Sequence, residues 1–397
     1  MKFAKRLQQI KPSPTMAMAA KAKAMLAKGI PITDFGLGEP DFNTPDVAAE
    51  AGIRAIQQGF TKYTPPSGTE ELKEAVCRKL KIENNLDYDK KEIIVSCGAK
   101  HTLYNIAQVL FERGDEVIVP APYWVSYPDQ VLLNDATPVI VETREEDQFL
   151  MTPEQLKRAI TPRTKAVILN YPSNPTGSAY TGKHLEALAD VLLDAPVWII
   201  SDEIYEKFIY DGVAHTSIAS LNPELKRKTI VVNGVSKAYA MTGWRIGYAA
   251  GPKEMIDAMG MVQSQSTSNP TSISQKAAAA ALLGGAPFIK TMVDEFDKRR
   301  LLIVERLNQI PGIRCSRPMG SFYVFPNVKG LMGTGYKAHQ INHSTDLATF
   351  LLEEGGISTI PGEAFGIDGY LRLSYAVSRD VLNEGLQKLK NAILKLS

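Results

Sequence analysis

The sequence predicts an α/β fold: a mainly parallel central sheet in a large domain, followed by a smaller α+β domain. Short apolar runs rich in β-branched residues alternate with helix-length segments through the middle of the chain, the pattern of strands joined by crossover helices. Those runs are continuous rather than alternating in polarity, which implies burial on both faces and hence parallel pairing. The chain has 397 residues, more than one simple core holds and enough for two domains.

The strands expected in order are "EIIVS" (92–96), "EVIVP" (116–120), "PVIVE" (138–142), "KAVILN" (165–170), "VWIIS" (197–201) and "TIVVN" (229–233). Helical segments at 100–111, 123–133, 153–160 and 181–193 separate most of them. The third opens with Thr152 as cap and Pro153 in its first turn, a good start signal. Near the N-terminus, "MAMAAKAKAMLAKG" reads as a helix docked on the protein and closed by Gly29. From about residue 290 the pattern changes to a long helix, the strand-like "SFYVFP", a helix near 346–354, "ISTI", "YLRLSY" and a final helix. The expected division is an N-terminal arm with part of the small domain (1–45), a large domain (46–290) and a small domain (291–397).

Bulk properties narrow the class. A net charge of +2 gives no general pull toward nucleic acid or membrane. The first residues are basic but lack the apolar core of a secretory signal, and no run approaches the roughly 18 apolar residues of a membrane span. Cys77, Cys97 and Cys315 are odd in number and widely spaced, which suits a reducing cytoplasm and forms neither a disulfide framework nor a zinc pattern. No metal site is expected.

In a parallel sheet, ligands sit outside the carboxyl ends of the strands, so groups following strands should converge. After 92–96 comes "CGAKHTLYN", where backbone N–H groups of Gly98, Ala99 and Lys100 would face outward at a helix terminus, a seat for phosphate. The glycine alone reads equally as turn geometry. No G-x-G-x-x-G or G-x-x-x-x-G-K-[ST] pattern occurs, which argues against dinucleotides and P-loop nucleotides. After 165–170, "NYPSNPTGSAY" forms a rigid loop in which turn chemistry explains the Pro and Gly residues but not Asn174. After 197–201, Asp202 stands deep at a strand end with Tyr205 three residues on; in isolation it reads as a helix cap. After 229–233, "NGVSKAYAMTGWRIGY" carries Lys237. Desolvation there would lower its pKa and expose a neutral amine, the form that makes Schiff bases; a lone lysine otherwise snorkels to water. An anion seat, a deep carboxylate with a phenol beside it, and an amine at three strand ends, with Asn174 at a fourth, suit one cofactor together, pyridoxal 5′-phosphate.

The blocks "NYPSNPTG", "SDEIYEKFIYDG" and "NGVSKAYAMTGWRIGYAAG" resemble the signatures of class I aminotransferases of fold type I. "ITDFGLGEPDF", "YTPPSGTEELKEAV", "APYWVSYPD", "PGEAFG" and "YLRLSYA" extend the resemblance over nearly the whole chain, nearest to the bacterial branch that holds aspartate and aspartate/prephenate aminotransferases. The resemblance implies that Lys237 carries the cofactor as a Schiff base and later moves the proton. It implies that Asp202 pairs with the ring nitrogen, that Tyr205 and Asn174 hydrogen-bond the phenolic oxygen, and that Trp124 stacks on the ring. Gly98, Ala99, Lys100, Ser236 and Arg245 would hold the phosphate, with Tyr63 reaching that of a neighbouring subunit in a homodimer.

By the same resemblance Arg372, Asn174 and the Gly38 backbone receive the α-carboxylate of the substrate, with Trp124 beside them. Lys100, Ser13 and Thr15 receive a second carboxylate. Ala99 and His101 depart from the "GGKQ" turn of that branch. The reaction implied is ping-pong transamination of aspartate and 2-oxoglutarate to oxaloacetate and glutamate. The alternatives are prephenate or aromatic amino acids as substrates and, as a different class, a non-catalytic binding module. The complete Lys, Asp, Tyr and Arg set speaks for retained chemistry.

Overall fold

The computed structural model describes residues 3–10 and 14–397, without the side chains of residues 14–16 and 19. Fourteen strands are numbered here along those residues. β1 (Thr33–Asp34) precedes a run of seven: β2 (Ile93–Ser96), β3 (Glu116–Ala121), β4 (Thr137–Glu142), β5 (Thr164–Asn170), β6 (Trp198–Asp202), β7 (Thr229–Gly234) and β8 (Gly247–Ala250). Those seven form one sheet in the order β2-β8-β7-β6-β5-β3-β4. Pairing is parallel from β7 through β6, β5 and β3 to β4, while β8 runs antiparallel to both β7 and β2.

Successive residues of the inner strands enter different cores, as expected for a sheet covered on both faces. Ala166 and Ile168 of β5 join a cluster with Ile94, Val119, Ile200 and Val232, closed by Leu103 and Ile106 of the helix Ala99–Leu110. Val167 and Leu169 join the opposite cluster, closed by Leu185, Leu188 and Leu192 of the helix Gly182–Leu193. β4 corrects the expectation of full burial: as the sheet's edge strand it leaves Thr137, Ile140 and Glu142 exposed. Helix starts follow local chemistry. Gln155 N–H donates to Thr152 Oγ1 at 3.2 Å and Thr152 N–H to Gln155 Oε1 at 2.9 Å, a reciprocal capping box.

The C-terminal third holds the short strands β9 (Tyr323–Val324), β10 (Gly335–Tyr336), β11 (His339–Gln340), β12 (Ile357–Ser358), β13 (Ile360–Pro361) and β14 (Leu371–Ser374), with helices Ala286–Leu307, Ser344–Gly355 and Arg379–Ile393. β13, β14 and β9 make an antiparallel sheet, and Phe296, Phe322, Phe350, Leu351 and Leu389 fill its core. β1 pairs in parallel with β12, Thr33 opposite Ile357 and Asp34 opposite Ser358. The segment after Asp34 is thereby held between this third and the seven-stranded sheet. Among the described residues no helix is long and apolar enough to cross a membrane.

Candidate active site

Asp202 ends β6, and its neighbours in register are Asn170 of β5 and Val232 of β7. It is 3% exposed. Its Oδ2 accepts the Tyr127 hydroxyl at 2.7 Å and its Oδ1 accepts the Ile204 N–H at 3.2 Å. No helix follows it, so the carboxylate closes an Asx-type turn rather than capping a helix. Burial pushes its carboxyl up to about 6, against the pull of the Tyr127 and Ile204 donors.

Lys237 lies three residues beyond β7, and its Nζ donates to the Gly38 carbonyl at 2.6 Å. Burial pushes its amine down to about 8; Glu39 opposes this, and Arg372, Arg245 and Lys100 add to it. The neutral amine is therefore more accessible than that of an ordinary lysine, as the desolvated setting predicts. Glu39 itself accepts the Thr242 hydroxyl at 2.6 Å.

The helix Ala99–Leu110 starts at Gly98, whose φ of +89° suits glycine. The N–H groups of Ala99 and Lys100 have no carbonyl a turn before them to bond, so they point out of the helix end. Two glycines let this end sit close to its surroundings. A Cβ on Gly98 would lie 2.3 Å from Arg245 Nη2, and one on Gly247 would lie 2.2 Å from the Ala99 nitrogen. Arg245 is fixed by Nη1 on the Thr242 carbonyl at 2.8 Å and Nη2 on that of Cys97 at 3.4 Å, and Ser236 is buried nearby in the same cavity. Lys100 places its ammonium 4.8 Å from the centre of the Trp124 ring. Burial, then Arg245, pushes its pKa below the usual value. The His101 departure leaves the turn intact, because its Nδ1 accepts the Cys97 N–H at 3.3 Å.

Arg372 on β14 is 3% exposed. Its Nη1 donates to Asn174 Oδ1 at 3.0 Å and its Nη2 to the Gly36 carbonyl at 2.5 Å, while Nε–H is buried without an acceptor. Its guanidinium lies over the rings of Tyr323 and Phe365, at 4.5 and 5.3 Å. Both hydrogen-bond partners are neutral oxygens, and among the described residues this buried cation has no anion to offset its desolvation.

These groups line one cavity of about 410 Å³ that takes in Gly38, Ala99, Lys100, Trp124, Asn174, Asp202, Tyr205, Ser236, Lys237, Arg245 and Arg372. Gly98 lies just behind the wall, against Arg245. Tyr63 is outside the cavity and 90% exposed. Ser13 and the side chain of Thr15 lie outside the described residues. Tyr127, Tyr323, Gly36 and Glu39 join the site without having been singled out from the sequence. Tyr127 stands three residues after Trp124 in "PYWVSYPD", and Tyr323 in "SFYVFP", so both were visible as aromatics but not as partners.

The model of the class I and II aminotransferase family matches residues 30–389. The chain belongs to this family. The aminotransferase is 50% identical over 389 residues to an aspartate aminotransferase of Geobacillus stearothermophilus, covering 98% of each chain. It is 49% identical over 386 residues to an aspartate/prephenate aminotransferase of Cereibacter sphaeroides, covering 97% of this chain and 96% of the relative. Its fold matches the crystal structure of the aspartate aminotransferase from Rhizobium meliloti with a TM-score of 0.97, at 45% identity over the whole of both chains. The aspartate aminotransferase from Thermus thermophilus with maleate matches with a TM-score of 0.93, at 41% identity over 99% and 100%.

Proposed function

We propose that this protein is a pyridoxal 5′-phosphate-dependent aspartate aminotransferase, exchanging the amino group between aspartate and 2-oxoglutarate. The observation that carries the reading is Lys237: an enclosed amine, pushed down to about 8, in one cavity with a buried carboxylate and a guanidinium that meets only neutral oxygens among the described residues. The side chains fit the cofactor. Ala99 and Lys100 N–H groups, Ser236 and Arg245 would hold its phosphate, Asp202 its ring nitrogen, Tyr205 and Asn174 its phenolic oxygen, and Trp124 its ring face. When bound, it supplies an electron sink for the carbon that loses its proton.

The chain's own residues do the rest. Arg372 and the Asn174 amide receive the α-carboxylate; the planar fork fixes the orientation of the amino acid. The free amine of Lys237 takes the α-proton and returns it to the carbon on the far side of the amino nitrogen, a 1,3-shift. Asp202, ionised near neutrality beside a protonated ring nitrogen, keeps that nitrogen charged. Lys100 stands by for a second carboxylate. A dicarboxylic substrate is further supported by the maleate that the Thermus relative binds by its description and by the curated relatives named for aspartate.

The active unit in this reading is a homodimer, with Tyr63 reaching the partner's phosphate. Its support is the exposure of Tyr63 together with Ile53, Ile56, Met261 and Leu283, apolar groups of which Ile53 and Ile56 share the helix Asp46–Gln57. Residues 46–290 would form the large domain and 1–45 with 291–397 the arm and small domain, so that closure brings Arg372 toward Lys237. Three free cysteines suit a reducing cytoplasm.

The test is a substrate panel with purified protein and cofactor: aspartate or phenylalanine as amino donor with 2-oxoglutarate as acceptor, and prephenate as acceptor with glutamate as donor. The highest kcat/KM is expected for aspartate. A higher value for prephenate or phenylalanine would reassign the substrate, and no transamination at all would sink the reading.

A further inference from the structure

Tyr323 stands between the two ends of the cavity. It is buried at the start of β9, and its hydroxyl lies 3.0 Å from that of Tyr205. The Arg372 guanidinium lies over its ring, 4.5 Å from the centre. Gly38 makes the room, since a Cβ there would lie 2.6 Å from the Tyr323 hydroxyl, and the carbonyl of the same Gly38 accepts Lys237. One phenol thus touches the cofactor-side tyrosine, the substrate-side arginine and the segment that holds the reactive lysine.

We propose that Tyr323 is a positioning residue that couples occupancy of Arg372 by a substrate carboxylate to the strength with which Tyr205 donates its hydrogen bond. The inference rests on the cofactor reading above. A phenol has one proton to give. When Tyr205 gives its own to the phenolic oxygen of the cofactor, its oxygen is left to accept, so Tyr323 is the donor of the pair. Hydrogen bonds in a chain polarise one another by roughly 10–30% each, so Tyr323 strengthens Tyr205. The cation over the Tyr323 ring favours electron withdrawal from its hydroxyl and makes it a better donor. A carboxylate seated on Arg372 cancels that charge and relaxes the chain, and the phenolic oxygen then holds more negative charge. The Lys237 nitrogen, when joined to the cofactor beside that oxygen, would keep its proton to higher pH. The amine that the reaction needs is in this way adjusted by arrival of the substrate.

The experiment loads the wild type, Tyr323→Phe, Tyr205→Phe and the double variant with pyridoxal 5′-phosphate and titrates the visible absorbance with pH, with and without maleate. Tyr323→Phe keeps the ring beneath Arg372 and removes one oxygen. The other charges facing the pair and Lys237 are Asp202, Glu39, Lys100 and Arg245, all unaltered. The titration midpoint is expected to rise by about 0.2 to 0.6 of a pH unit. The shift caused by maleate should shrink, and the double variant should match Tyr205→Phe alone. An unchanged midpoint, an undiminished maleate shift, or additive effects in the double variant would overturn the coupling. A wild type that shows no visible band would instead overturn the cofactor reading.

Discussion

Replacing Asp202 by Asn should stabilise the cofactor-free protein while weakening its hold on pyridoxal 5′-phosphate. Burial lifts the Asp202 carboxyl from 3.8 to about 6. A carboxyl with a folded value above its unfolded one binds more protons when folded. Its contribution is therefore favourable at low pH and declines as pH rises from about 4 through 6. Above that window the fold carries an ionised group its surroundings disfavour by about two pH units, roughly 3 kcal/mol at about 1.36 kcal/mol per unit. Asn keeps the shape without the charge. Its oxygen can accept from Ile204, and its NH₂ can face the Tyr127 hydroxyl, which accepts as well as donates. Urea unfolding of the apo protein at pH 7.5 should show Asp202→Asn more stable by up to about 3 kcal/mol, and at pH 4.5 the gap should shrink to about 1 kcal/mol. Saturating cofactor should reverse the order, because the wild type gains more from binding. Equal stability at pH 7.5, or an advantage unchanged at pH 4.5, would refute the argument.

Lys237→Ala should abolish turnover and the visible absorbance of the loaded enzyme together; either one surviving in full would contradict its assignment. Arg372→Lys loses the planar fork and at least one charge-assisted hydrogen bond, and kcat/KM for aspartate should fall roughly ten- to a hundredfold, with the cofactor spectrum retained. Gly247→Ala places a methyl 2.2 Å from the Ala99 nitrogen, more than an ångström inside ordinary contact at 3.4 Å. The helix end must move, at a cost of about 1–3 kcal/mol, and cofactor affinity measured on the apo protein should drop about tenfold, whereas Gly243→Ala, with nothing within 4 Å, should change neither stability nor affinity. Tyr127→Phe removes a donor that holds the Asp202 carboxyl down; the acid limb of the kcat–pH profile should move to higher pH.

Six strands of the large sheet were legible because their runs are apolar and rich in Val and Ile, and five of them are buried on both faces. β8 was not, since "GYAA" has small residues with little strand preference; Gly247 is there for the approach of Ala99, a reason that appears only in three dimensions. The exposed residues of β4 follow from its place at the sheet edge, which strand order decides and composition does not. The site was legible wherever a residue followed a strand, as at Asp202, Asn174 and Lys237. Tyr127 and Tyr323 escaped because an aromatic in a motif does not say whose oxygen its hydroxyl will meet. Equally hidden was the buried ion network beside Asp202 in sequence. There Glu206 pairs with Lys79 and accepts from Asn84, while Glu203 accepts from Ser201 and Ser217. Glu206 and Lys79 lie 127 residues apart.

The segment from Asp34 to Gly38 sets a timetable for biosynthesis. Its carbonyls at Gly36 and Gly38 hold Arg372 and Lys237, and its strand neighbours begin at Ile357. Gly36 leaves the ribosome 336 residues before the arginine it holds, an interval of roughly 20 s to a minute at typical bacterial elongation rates. The seven strands ending at Ala250 are complete well within that time, whereas β1 pairs with a strand that begins only at Ile357. A nascent chain therefore holds Lys237 well before Arg372, the residue proposed to receive the substrate carboxylate. If Arg372 acts as proposed, a competent site waits for β14 to be made.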